Sequence, residues 1–297
     1  MSVRAVTRGR PTSVVADYLA LTKPRIVCLL VFTAASGYLA GAGGTIDVAA
    51  LVSVTLGGAL AAGGANAMNC ALDRDLDGLM KRTRERPVAA GRIPPAGAVG
   101  FGLLLNAVAG AWLLRTSGPL AAGLALAGSA WYVLVYTMWL KRRSSQNIVI
   151  GGAAGCFPPL VGWAAATGGL DGTALVLAGV IFLWTPPHFW ALATLLRDDY
   201  RRAGVPMLPA VASSAETARR ILRYAVATLA VSLLPVAWHG LGLPYAVVAA
   251  AAGIELVRRA EAFRRSADRP AAASLFHYSL AYLPIVFVAA VLDRTIA

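Results

Sequence analysis

The stretch Asn69 to Arg86, N-C-A-L-D-R-D-L-D-G-L-M-K-R-T-R-E-R, brings three aspartates and five bases together at the end of an apolar run. Asn69, Asp73 and Asp77 are spaced by four. On a helix each such step turns a side chain by only about 40°, so the three form one stripe, with Asp75 roughly opposite Asp73 and solvated. Lys81, Arg82, Arg84 and Arg86 follow at once. Carboxylates on one face with a cationic cluster beyond them suit a magnesium-bridged diphosphate. Mg²⁺ prefers carboxylate oxygen and keeps several waters, and Lys and Arg take up the negative charge of a departing phosphate group. An allylic cation left behind needs a dry pocket, and Trp131, Tyr132, Tyr136, Phe157, Trp163, Trp184 and Trp190 offer aromatic walls for one, although packing alone explains most of those rings.

A second acidic cluster lies in T-P-P-H-F-W-A-L-A-T-L-L-R-D-D-Y-R-R-A-G-V-P-M-L-P, Thr185 to Pro209. Asp199 is eleven residues after His188, about three turns, which puts both near one face of a continuing helix. Alone, Arg197, Asp198 and Asp199 read as an interfacial charge cluster. Paired with the first cluster, Asp198 and Asp199 become further metal–diphosphate ligands and Arg197 a phosphate donor. Between the two lie Tyr136 and the run Trp139-Leu140-Lys141-Arg142-Arg143. Those residues are either an aromatic belt with basic anchors or, through Lys141 and Arg142, part of a diphosphate clamp. His188 and His277 fall inside apolar segments, where an ionisable group raises the odds of function over packing.

The elements that must hold these residues are membrane-spanning helices. The 297 residues are 58% hydrophobic and 14% charged, with a mean hydropathy of +0.66. Soluble chains carry about 25% charged residues. Nine apolar blocks approach the roughly 20 residues a span requires: 26–43, 47–70, 96–115, 119–140, 147–167, 173–196, 221–240, 243–260 and 274–292. Residues 1–24 form a polar arm, flexible or interfacial, and 25–297 a single all-α membrane domain. Twenty-five of the 27 basic residues fall in the arm and in alternate loops, leaving Arg115 and Arg294 on the other side. The asymmetry predicts a cytoplasmic N-terminus and an external C-terminus. It also accounts for the +13 net charge without nucleic acid. The two long basic loops lie four spans apart, which suggests two four-helix repeats and a ninth helix around a central cavity. G-x-x-x-G pairs at Gly37/Gly41 and Gly151/Gly155 predict close helix contacts. Pro158-Pro159 and Pro186-Pro187 predict broken helices.

The motif N-x-x-x-D-x-x-x-D at Asn69, Asp73 and Asp77 resembles the first aspartate-rich motif of UbiA-type intramembrane prenyltransferases. The longer segments Asp73–Pro87, Tyr136–Gly152, Trp184–Leu192, Asp199–Pro209 and Phe276–Leu283 resemble its heme O synthase branch. The resemblance implies transfer of a farnesyl group from farnesyl diphosphate to the 2-vinyl group of heme B, with water adding to give heme O. It implies Mg²⁺ as cofactor, with heme B a substrate. It casts Asn69, Asp73, Asp77 and Asp199 as catalytic and metal–diphosphate residues, Lys81 and Arg82 as diphosphate-binding, and Tyr136, Trp184, His188 and His277 as candidates for the heme pocket. The wider family's second motif is usually D-x-x-x-D, whereas Leu195 and Ala203 flank Asp199 at that spacing. Asp198 or an arginine would complete the second site. The location implied is the plasma membrane, with the mitochondrial inner membrane as the alternative that the basic arm allows. A heme A synthase or an oxidase assembly factor would be the onward partner. A quinone or chlorophyll-precursor prenyltransferase and a secondary transporter are the rival readings, but a transporter's charges belong near the midplane and not at one rim.

Overall fold

A computed structural model describes residues 13–296, and all their regular elements are helices. In chain order they are α1 (Val14–Leu21), α2 (Pro24–Ala42), α3 (Val48–Leu72), α4 (Arg74–Leu79), α5 (Pro95–Thr116) and α6 (Gly118–Ala130), which runs on as a π-helix over Trp131–Leu140. Then come α7 (Asn147–Gly151), a 3₁₀ segment (Gly152–Cys156), α8 (Phe157–Thr167), α9 (Gly172–Leu195), α10 (Arg197–Arg202) and α11 (Leu208–Val211). α12 (Ser214–Ser232), α13 (Leu243–Ser266) and α14 (Arg269–Ile296) complete the chain. The starts follow local rules. Asp47 accepts from Ala49 and Ala50 at α3, Asp171 from Ala174 at α9, and Ser213 from Glu216 at α12.

Among the described residues eight segments are long and apolar enough to cross a membrane: 24–42, 48–72, 95–116, 118–140, 147–167, 172–195, 214–238 and 269–296. The expected block 243–260 is the one not among them: it forms α13, but the last turns of that helix carry Glu255, Arg258, Arg259, Glu261, Arg264 and Arg265, ion-paired along the helix. That charged end belongs in the headgroup region. Helices adjacent in the chain are largely adjacent in space. α2 meets α3 and α8, α3 meets α5, α5 meets α6 and α6 meets α8; α9 meets α8, α12 and α14; α12 meets α13, and α14 closes against both α13 and α2. Large apolar side chains such as Leu103, Leu104, Leu134 and Val247 point outward, as lipid contact requires.

Glycine sets the closest approaches. A Cβ at Gly162 would lie 1.9 Å from the Ala34 carbonyl oxygen, and one at Gly37 would lie 2.2 Å from that of Pro159, so α2 and α8 touch backbone to backbone. The proline pairs behave differently from each other. Pro158-Pro159 begins α8 after the 3₁₀ turn, so that span is broken as expected. Pro186-Pro187 sits within an uninterrupted α9, contrary to expectation. There the surrounding helices hold the segment helical despite two missing N–H donors.

Part of the expected arm is helical. Residues 1–12 lie outside the described residues, but 14–21 form α1, whose buried Asp17 is held by Arg92 Nε at 3.0 Å from both carboxylate oxygens. The turn after α1 is pinned on one face of α3. Asn66 Nδ2 donates to the Thr22 carbonyl at 3.1 Å and Cys70 Sγ to that of Leu21 at 3.9 Å.

Candidate active site

The residues of the expected stripe share a line although the helix beneath them is not continuous. α3 ends at Leu72 and α4 begins at Arg74, with Asp73 between. The i to i+4 backbone bonds Asp73 N to Asn69 O (2.9 Å) and Asp77 N to Asp73 O (2.8 Å) carry the helical register across the break. Asn69, Asp73 and Asp77 are all buried, at 2%, 0% and 2% exposure, whereas Asp75 points to solvent. Three ionisable or amide groups buried this far need partners, and the fold supplies them from four elements.

Asn69 is the hub. Its Oδ1 accepts from Lys23 Nζ at 2.6 Å, and its Nδ2 donates to Asp73 Oδ2 at 2.7 Å and to Thr137 Oγ1 at 2.9 Å. Asp73 Oδ2 also takes the Lys141 ammonium, while Asp73 Oδ1 is buried without a hydrogen bond among the described residues. Asp77 receives both its oxygens' bonds from Arg86 Nη1 at 2.8 Å. The π-helix matters here. Its wider i to i+5 pitch places the Lys141 N–H on the Tyr136 carbonyl at 2.8 Å and the Thr137 hydroxyl on that of Tyr132, aiming both residues at the aspartates. Lys23 reaches inward from a strained left-handed residue, φ 53°, at the head of α2. Burial, with the Arg86 and Lys141 charges adding, lowers its ammonium pKa to about 8.

Sequence reasoning missed Lys23, Thr137 and Arg86 as members of the site. Arg86 was visible as one of the basic run, but nothing in the spacing singled it out. Arg142 lands beside the site, with Nη2 3.9 Å from Asp73 Oδ1. Its fork bonds Asp75 at 2.6 and 2.7 Å and the Leu72 carbonyl at 2.9 Å, capping α3 and holding the Asp75 carboxyl down to about 2. Lys81 and Arg82 are exposed on the loop after α4 with no ion pair among the described residues.

The second cluster comes to the same region through an apolar contact. Leu76 and Met80 of the first loop pack with Tyr200, Val205 and Met207 of the second, together with Ile148 and Ala193. Tyr200, its hydroxyl pKa raised by burial, feels the charges of Arg82, Lys141 and Arg86. The acids themselves are less engaged. Asp199 pairs with Arg202 one turn away on its own helix, Asp198 is exposed, and Arg197 Nη2 donates to the Ala212 carbonyl at 3.2 Å. Among the described residues no three His, Cys, Asp or Glu side chains already converge as a cation site. What fits a metal is narrower: two buried carboxylates one turn apart, one of them with an oxygen that accepts no hydrogen bond among the described residues.

The aromatic and histidine residues divide. Tyr136 stacks on Tyr132 at 5.5 Å, beside the carboxylates. His188 stacks on Trp184 at 4.4 Å, and its Nδ1 pairs with Ser279 Oγ at 2.8 Å, while Trp184 Nε1 donates to the Ser279 carbonyl at 2.9 Å. These bonds tie α9 to α14. His277 does not join them. It is exposed on the outward stripe of α14 with Leu280, Ile285 and Val288, because two residues turn a helix by about 200° from the buried Leu275. This corrects its placement in the pocket.

A helical membrane fold with buried, cation-matched aspartates at one rim has known counterparts. The UbiA prenyltransferase family matches residues 30–280, and the chain belongs to that family. Among its relatives is a protoheme IX farnesyltransferase of Gloeobacter violaceus, 50% identical over 279 residues that cover 93% of this chain and 91% of the relative. Another, from Thermus thermophilus, is 47% identical over 292 residues, 98% of this chain but only 48% of the relative. The chain thus spans about half the length of several curated relatives it matches. Among solved structures, a digeranylgeranylglyceryl phosphate synthase superposes with a TM-score of 0.80 at 17% identity, covering 95% of this chain and 99% of that one. A UbiA homologue from Archaeoglobus fulgidus bound to GPP and Mg²⁺ gives 0.62 at 13% identity, covering 92% and 99%. At such identities these likenesses speak for the fold alone.

Proposed function

We propose that this chain transfers the farnesyl group of farnesyl diphosphate to the 2-vinyl group of heme B, with water adding, to give heme O. The observation that carries the chemistry is the buried line Asn69–Asp73–Asp77, matched by Lys23, Lys141 and Arg86. The choice of acceptor rests on the curated relatives' names. Asp73 and Asp77 would hold bound magnesium, whose charge would help neutralise the leaving diphosphate. The chain's own part is positional. Lys141, Arg86 and Lys23 are poised on short bonds to the carboxylates and amide, and can turn to phosphate oxygens when the diphosphate arrives. The C1–O bond of the farnesyl group breaks with both electrons leaving on the diphosphate. A new C–C bond forms to the terminal vinyl carbon, water attacks the adjacent carbon, and one proton is released. Tyr132 and Tyr136 beside the carboxylates supply ring faces for the first cation. Trp184 and His188 hold α9 to α14 and so shape the wall of the acceptor space.

In the same reading Asp199, Asp198 and Arg197, with Lys81 and Arg82 opposite them, form the mobile half of the diphosphate site. The basic loops face the cytoplasm, and the enzyme lies in the plasma membrane. The test is to incubate membranes containing the chain with heme B, farnesyl diphosphate and Mg²⁺ and to look for heme O. Turnover of a quinone precursor with no heme O would replace the acceptor, and a tag placing the C-terminus in the cytoplasm would overturn the orientation.

A further inference from the structure

A second polar space lies away from the aspartates. It is a cavity of about 230 Å³ lined by Gln146, Trp190, Arg220, Arg223 and Tyr224, where α9 and α12 meet the loop before α7. Its lining holds two guanidinium groups and an amide and no acid. Arg220 is balanced by Glu216, to which its Nε donates at 2.6 Å, and Glu216 also serves Arg219. Arg223, one turn further along α12, has no ion pair among the described residues. The indole N–H of Trp190 is buried at 0% exposure with no hydrogen-bond partner, a costly state for a polar group. A buried donor lacking an acceptor, in a cavity also lined by an exposed arginine with no ion pair among the described residues, suits an anion. The volume lies below the about 300–1,000 Å³ of pockets that enclose whole ligands, so the space suits a headgroup and not an entire acceptor.

We infer that this cavity is a second anion site, separate from the diphosphate cluster, which takes the phosphate or carboxylate headgroup of a membrane-borne amphiphile. Arg223 and Arg220 supply charge, Trp190 the buried N–H, and Gln146 the adjustable amide. Two sources carry such a group: an anionic phospholipid and, on the reading of the function given above, the carboxylates of the acceptor.

Binding measurements separate the sources without relying on turnover. The full chain in detergent is challenged with phosphatidylglycerol against phosphatidylcholine and followed by native mass spectrometry. It is also titrated with a porphyrin dicarboxylate against its dimethyl ester and followed by tryptophan quenching. If lipid is the source, the wild type prefers phosphatidylglycerol, R223Q lowers that preference about fivefold, the worth of one basic residue near an anionic surface, and R220Q/R223Q removes it. W190F, which keeps the ring and deletes the N–H, weakens it further than an equivalent exposed Trp112→Phe. If the acceptor is the source, the same variants weaken the dicarboxylate and spare the ester. Either pattern supports the site. Unchanged lipid preference and unchanged dicarboxylate affinity in folded R223Q and W190F would overturn it, whatever the enzyme turns over.

Discussion

The two acidic clusters look alike as sequence and differ as structure. The first is buried, and its partners come from elsewhere in the chain: Lys23 is 46 residues from Asn69, and Lys141 is 68 from Asp73. The second is less deeply buried, with Asp198 exposed, and among the described residues its one ion pair, Asp199 with a half-exposed Arg202, closes within a single helical turn. A charge held by distant helices is oriented before any ligand arrives, whereas one held by its own turn is free to rearrange. On the function proposed above, the two clusters would take unequal roles, a preorganised half and an adaptable half.

The largest expected effect tests that inequality directly. Asp73→Asn or Asp77→Asn should lower kcat by roughly 10²–10³-fold or more, the scale for losing a central electrostatic group, while Asp198→Asn costs far less. Equal losses in a farnesyl-transfer assay would erase the distinction. Chelating divalent metal should abolish turnover in the wild type and Mg²⁺ should restore it, and a chelator-resistant enzyme would leave the buried carboxylates to act through Lys and Arg alone. Next comes stability. Arg86→Gln strands a buried carboxylate and should destabilise by about 3–5 kcal/mol, whereas Arg202→Gln should cost about 0–1 kcal/mol, both readable from thermal unfolding in detergent. Matching shifts would mean that burial does not separate the clusters. The smallest effect falls on Asp75→Asn, which loses an exposed bond to Arg142 and should reduce turnover less than tenfold on the scale of surface pairs. A loss as deep as that of Asp73→Asn would break the one-stripe geometry.

Several features were legible from local pattern because local physics sets them. Spacing by four put Asn69, Asp73 and Asp77 on one line even across a helix break, since the backbone bonds kept register. Block lengths marked the spans, and the G-x-x-x-G pairs marked the close contacts found at Gly37 and Gly151, although not the one at Gly162. Other features misled or left a choice open. A proline pair reads as a break wherever it occurs, yet Pro186-Pro187 remains helical inside packed neighbours. A histidine in an apolar span leaves packing and function open, and of the two His277 faces outward whereas His188 is buried and bonded to Ser279. Arg142, left open between a basic anchor and a phosphate ligand, bonds Asp75 with its fork and lies 3.9 Å from Asp73 Oδ1.

The sequence by itself determined a membrane-embedded all-helical chain of the UbiA prenyltransferase family with aspartates aligned at one rim. Helix period, apolar length and motif spacing are properties of short stretches and need no tertiary contact. Only the tertiary structure decided which cation meets which acid, that a π-helix aims Thr137 and Lys141 at Asn69 and Asp73, and that a turn strained at Lys23 delivers an ammonium group to the same point. Those pairings join residues far apart in the chain, and the packing of α1 through α7 places them.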